Sequence, residues 1–147
     1  MAVPARISIV TLGVADVARS TTFYEALGWQ RSSASQESIT FINTSGPVLA
    51  LFGRAALAED AAVADDGDGD ASRFRGVSLA INLGSPGEVD EVFAAWVAAG
   101  ATAVKPPEPV FWGGYSSYVA DPDGHLWELA HNPYFPMDDT GRVRAPD

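Results

Sequence analysis

Glu128 stands between Trp127 and Leu129 in a run, 125–131, that otherwise reads as a strand. A carboxylate among apolar neighbours is costly to bury unless it is paired or hydrogen-bonded. Two uses follow. Glu128 is a ligand-binding or acid–base carboxylate, whose pKa burial is expected to raise. Alternatively it is structural, hydrogen-bonded or half-exposed at a sheet end. His125 and His131 flank it in sequence, and imidazole and carboxylate both ligate metals. Strand parity separates them. Leu126, Glu128 and Ala130 share one face, and Trp127 and Leu129 share the other with both histidines. His125 is therefore expected as a turn residue, and His131 as a surface or tail-packing residue.

Phe111-Trp112-Gly113-Gly114-Tyr115 is the second informative stretch. The glycines permit a bulge or a close backbone approach. Phe111, Trp112 and Tyr115 beside it suit a stacking wall for a flat ligand. The bland alternatives are a cluster closing a barrel end and a dimer contact. Asp66, Asp68 and Asp70 have the alternating spacing that begins a calcium loop. The sixth position would be Ala71, not Gly, and the twelfth Val77, not Glu, so a solvated acidic loop is the better reading. The sequence holds no phosphate-binding glycine loop and no G-x-S-x-G elbow.

Two similar halves would position these residues. Residues 6–14 read as a strand, and Asp16 stands where a helix N-cap belongs. Val17, Ser20, Phe23, Tyr24 and Leu27 follow at helical spacing, and Gly28 suits the left-handed end of the helix. Three short strands are expected near 29–35, 38–44 and 47–53. Residues 54–75 form an acidic linker, with a short helix expected between Ala55 and Ala64.

The second half, 76–132, repeats the pattern. A strand at 76–83 precedes Ser85-Pro86-Gly87-Glu88, a capping box with proline at the first helical position. Val89, Val92, Phe93, Trp96 and Val97 make an apolar stripe closed by Gly100. Strands near 101–105, 114–120 and 125–131 follow, with Asp121-Pro122-Asp123-Gly124 as the turn between the last two. In the strand at 76–83, Val77, Leu79, Ile81 and Leu83 should pack on helices. Ser78, Ala80 and Asn82 would line a cavity, apolar with a few polar groups. The tail from Pro133 is expected to wrap over the surface.

The fold class is therefore α+β, two βαβββ modules with helices outside a curved sheet, in a single domain of 147 residues. The absence of cysteine excludes disulfides, zinc–thiolate sites and thiol catalysis. A net charge of −10 argues against nucleic acid and anionic membranes as partners. No apolar run approaches the ~20 residues of a membrane span. Met1 to Arg6 lacks the features of a secretory leader, and a cytoplasmic location is expected.

Residues 9–16, Ile-Val-Thr-Leu-Gly-Val-Ala-Asp, followed by Phe23-Tyr24-Glu25-Ala26-Leu27-Gly28, resemble the first strand and helix of the vicinal oxygen chelate superfamily. Asp121-Pro122-Asp123-Gly124 with Glu128-Leu129 resembles its last hairpin, and the match spans about 6–132. The resemblance implies an eight-stranded bowl with a small-molecule cavity, and a homodimer. Enzymes of this family hold a divalent metal through His, Gln or Glu on the first strand of each half and on the last strand. Carried over, the last position is Glu128, but the first-strand positions are Ile9 and Ser78. Val48 to Phe52 offers no replacement. One carboxylate does not hold a catalytic metal. No cofactor is therefore expected. The expected function is metal-free binding, by sequestration of an aromatic or cationic compound. Ser78 and Asn82 would be polar anchors, Phe111, Trp112 and Tyr115 walls, and Glu128 the charged contact. The alternative is a lyase or isomerase of the glyoxalase type, with Glu128 as general base or metal ligand. A third reading is an accessory protein with a vestigial cavity.

Overall fold

The computed structural model describes residues 2–65 and 70–147, so Asp66 and Asp68 of the acidic loop lie outside the described residues. The chain forms two compact units, Met1–Asp68 and Gly69–Asp147. Both are α+β, with sheets of three and four strands and helices packed on them.

In the first unit β1 (Ile9–Val14) leads to α1 (Val17–Ala26). The Asp16 carboxylate accepts the Arg19 amide at 3.0 Å, as its N-cap position requires. The helix closes at Leu27 and Gly28, the latter at φ 89°. Phe23 and Tyr24 are buried, with Tyr24 stacked on Trp29. Next come β2 (Ile39–Ile42), β3 (Val48–Gly53) and α2 (Arg54–Asp60), in sheet order β1-β3-β2. The β1–β3 pair is parallel and β2–β3 antiparallel.

The strand expected at 29–35 does not form. Its ladder is reduced to isolated bridges, Arg31 with Ile42 and Gln36 with Ile39. The cause is the serine run. Ser32 Oγ accepts the Ala34 amide, and Ser35 Oγ accepts the Phe41 amide at 2.9 Å. Hydroxyls thereby capture backbone groups that a ladder would otherwise use. The described residues consequently hold seven strands, not the eight implied by the resemblance.

The second unit keeps the complete βαβββ order: β4 (Ser78–Asn82), α3 (Pro86–Ala98), β5 (Thr102–Pro109), β6 (Tyr115–Ala120) and β7 (Leu126–His131). Its sheet order is β4-β7-β6-β5. Ser85 Oγ accepts the Glu88 amide, while Glu88 reaches back one residue beyond the cap, to the Gly84 amide at 2.8 Å. Buried Val89 and Trp96 face the sheet, and Trp96 meets Trp127 of β7 with ring centroids 5.2 Å apart. The apolar face expected for 76–83 is only partly covered. β4 is an edge strand of this sheet, Leu79 and Ile81 are half-buried, and Val77, just outside the strand, is 62% exposed.

The Asp121–His125 turn is built tightly. Asp121 Oδ1 accepts the amides of Asp123 and His125, both at 2.9 Å. Gly124 takes φ 81°, and a Cβ there would lie 1.9 Å from the Ala71 carbonyl oxygen. Only glycine satisfies both conditions. This turn sets the β6–β7 register on which the site depends.

Candidate functional site

The buried Trp127 contact with α3 fixes which face of β7 is which. Glu128, one residue on, points to the opposite, helix-free side. Its cross-strand neighbours are Tyr118 on β6 and Ala80 on β4. One row along, Ser116, Ala130 and Asn82 stand side by side; one row back stand Ala120, Leu126 and Ser78. Glu128 is thus a half-buried carboxylate on a floor of mostly small side chains.

One hydroxyl holds it and a second faces it. Ser116 Oγ donates to Glu128 Oε2 at 2.7 Å. Tyr118 faces the same carboxylate from directly across the β6–β7 ladder. Burial first, then the charge and acceptor character of Glu128, push the Tyr118 phenol above its ordinary range, against an opposing pull from Lys105. Lys105 lies opposite Tyr118 on β5 and is paired with Glu108 at 2.9 Å. The expectation of a hydrogen-bonded carboxylate therefore describes Glu128 directly. The residue that bonds it, Ser116, and the one that faces it, Tyr118, were missed. A signal existed: counting back from the Asp121–His125 turn pairs 120 with 126, 118 with 128 and 116 with 130, which names Tyr118 and Ser116.

The other expected site residues divide. Ser78 and Asn82 share the Glu128 face. Val110 to Gly114 form the β5–β6 hairpin loop. The Gly113 amide donates to the Val110 carbonyl, the Val110 amide donates to the Gly114 carbonyl, and Gly113 is left-handed at φ 94°. A Cβ on Gly114 would fall 1.9 Å from Cζ3 of Trp112, so the indole occupies the place of a side chain at 114. Parity puts that place on the same face as Ser116 and Tyr118. Trp112 therefore covers one end of the Glu128 face. Phe111 does not join it, because the loop tip turns its side chain fully into solvent. Nor does Tyr115, which points to the helix side, where its hydroxyl donates to Asp90 Oδ1 at 2.8 Å. That bond raises the Tyr115 phenol above its ordinary range.

The histidines serve structure. Arg75 donates to His125 Nδ1 at 3.0 Å and to the Asp123 carbonyl at 2.6 Å, bracing the turn. His131 Nδ1 donates to the Leu83 carbonyl at 2.9 Å, tying the end of β7 to the segment after β4. Residues around Glu128 do not fit the divalent metal of the resemblance. Besides Glu128 the neighbours supply alkyl groups, neutral hydroxyls including the carried-over Ser78, and the Asn82 carboxamide, and the Ile9 side chain has no lone pair to offer; one carboxylate and one amide do not make a catalytic metal site. Among the described residues no three His, Cys, Asp or Glu side chains gather as a metal-holding group. No described helix is long and apolar enough to cross a membrane.

Comparison with known proteins agrees with this architecture. None of the curated proteins matches the sequence. A glyoxalase-related enzyme from Fulvimarina pelagi is 36% identical, with 97% of this chain and 100% of that one covered at a TM-score of 0.86. A glyoxalase/bleomycin resistance protein/dioxygenase from Nocardioides is 27% identical, covering 89% and 85% at 0.72. A protein of the same description from Burkholderia phytofirmans shares the fold at 20% identity, covering 86% and 98% at 0.75. The model of the Glyoxalase/Bleomycin resistance protein/Dioxygenase superfamily matches residues 6–129, and the chain belongs to that superfamily.

Proposed function

We propose that the protein binds a small molecule on the Glu128 face of its second sheet, without a resident metal and without turnover. The observation that carries this is the anchored carboxylate: Ser116 Oγ bonds Glu128 and Tyr118 stands opposite it, while the exposed Ser78 and Ala80 border it on β4. A carboxylate held by a donor from the neighbouring strand is a fixed acceptor, which suits recognition. Compounds that are aromatic, cationic or both fit the lining. The reading extends to a cytoplasmic homodimer; superfamily membership supports the dimer.

Two measurements test it. Elemental analysis of gently purified protein is expected to find no stoichiometric metal, before or after incubation with divalent ions. Thermal-shift screening of aromatic and cationic compounds is expected to give saturable stabilisation that Glu128→Gln abolishes. Stoichiometric nickel, zinc, iron or manganese would overturn the metal-free reading. Unchanged binding by the Glu128→Gln variant would remove the pocket from this face.

A second reading has one observation in its favour: the 36%-identical relative is described as a glyoxalase-related enzyme. On that reading Glu128 is the general base of a lyase or isomerase. Turnover of a bound compound, lost in Glu128→Gln, would establish it.

A further inference from the structure

We infer that the ligand of this face is an aromatic amine, bound as its cation, with its ammonium on Glu128 and its ring against Trp112. The inference rests on the small-molecule reading above and specifies its chemistry.

Three observations converge. The first is polarity. Glu128 has about four acceptor positions as a carboxylate, of which Ser116 uses one. What remains is acceptor capacity, so the incoming group must be a donor. The nearby cation, Lys105, is paired with Glu108 at 2.9 Å, which offsets part of its charge. The second is direction. The backbone of Glu128 lies opposite Tyr118, yet its carboxylate bonds Ser116, one row further along β6. It therefore leans toward the end of the face that Trp112 covers. The third is spacing. The Trp112 ring stands over position 114, two residues or about 7 Å along the strand from Ser116. A ring lying on the indole and carrying a short aminoalkyl arm spans that gap. Trp112 is 37% exposed, so part of its surface is open to such a partner. A cation near an indole also gains from the ring quadrupole.

The test is calorimetric titration of the full chain with three compounds that share one ring and differ in charge: tryptamine, tryptophol and indole-3-acetate. Tryptamine is expected to bind about tenfold tighter than tryptophol, the size of one charge-assisted hydrogen bond. Indole-3-acetate is expected to bind weakest. Glu128→Gln should bring tryptamine down to the level of tryptophol. Trp112→Ala should weaken tryptamine and tryptophol by a similar factor, since both lose the same stacking. Circular dichroism and melting curves accompany each variant, and Ser116→Ala supplies an independent disturbance of the carboxylate that should lower the tryptamine preference. The inference is overturned if indole-3-acetate binds best, if the tryptamine preference survives Glu128→Gln, or if none of the three binds. Equal binding of all three that falls only with Trp112→Ala removes the charge assignment while leaving the small-molecule reading intact. Bound metal or turnover in the earlier assays removes that earlier reading instead.

Discussion

The two sheets run on the same register and carry opposite chemistry. Where Tyr118, Glu128 and Ala80 stand in one row of the second sheet, Phe41, Ala50 and Thr11 stand in the matching row of the first. Ile39 takes the place of Ser116. Exchanging three polar side chains for apolar ones leaves the ladder unchanged, because strand pairing is made by the backbone. A ladder of this kind therefore tolerates a charge only where its cross-strand neighbours supply donors. The Ser116 hydroxyl does so for Glu128, whereas a charge at 50 would have only the Thr11 hydroxyl beside it, with Phe41 and Ile39 where the second sheet has Tyr118 and Ser116. The turns differ in the same sense. Asp121–His125 has two buried aspartates and a close approach from Ala71, whereas Thr44-Ser45-Gly46 is exposed.

The largest way to break the comparison is to move the charge. Ala50→Glu puts a carboxylate at a fully buried position beside Phe41, and is expected to destabilise the protein by about 4 kcal/mol in urea unfolding. Ala50→Glu combined with Phe41→Tyr and Ile39→Ser, copying the second sheet, should recover part of that loss.

The turns give the next effect. Gly124→Ala is expected to cost roughly 3 kcal/mol, because the new Cβ meets the Ala71 carbonyl in a left-handed backbone. Gly46→Ala, whose nearest neighbour would be Thr44 Oγ1 at 3.8 Å, should change stability by less than about 0.5 kcal/mol. Similar losses in both would mean that the turns do not differ as described.

Ser116→Ala removes the hydroxyl that bonds Glu128 and is expected to cost about 1.5 kcal/mol. Glu128→Ala in the same background should then cost little more, because the two groups stabilise each other.

The smallest effect is on pH. Burial, with the charge and acceptor character of Glu128 behind it, raises the Tyr118 phenol. Its contribution to stability is therefore present below the ordinary tyrosine value near 10 and is lost as pH rises through the higher folded value. Ring-carbon NMR of Tyr118 should show this late titration. Glu128→Gln should shift it part of the way back, leaving the share due to burial. A full return to the ordinary value would mean that the carboxylate, not burial, dominates.

Local signals made much of the fold legible. Asp16 and Ser85 cap their helices, Gly28 and Gly100 end them, and Asp121 to Gly124 form the turn, because each acts through bonds within a few residues. The alternation that put Glu128 opposite Trp127 was equally local. The same reasoning failed at 29–35, where β-type spacing was overruled by serine hydroxyls bonding nearby backbone.

By itself, then, the sequence determined two similar βα-led halves, the second a complete βαβββ, with their helix ends and a carboxylate on the small-residue side of the last strand. Periodicity and capping are properties of consecutive residues, and they suffice for that. Only the tertiary structure decided what the carboxylate meets. Its Ser116 bond joins residues twelve positions apart through the register of two strands. The placement of Trp112 over Gly114 depends on a hairpin loop closed by a left-handed glycine. Tyr115, one position from Ser116, went to Asp90 instead, because a single step along a strand reverses the face.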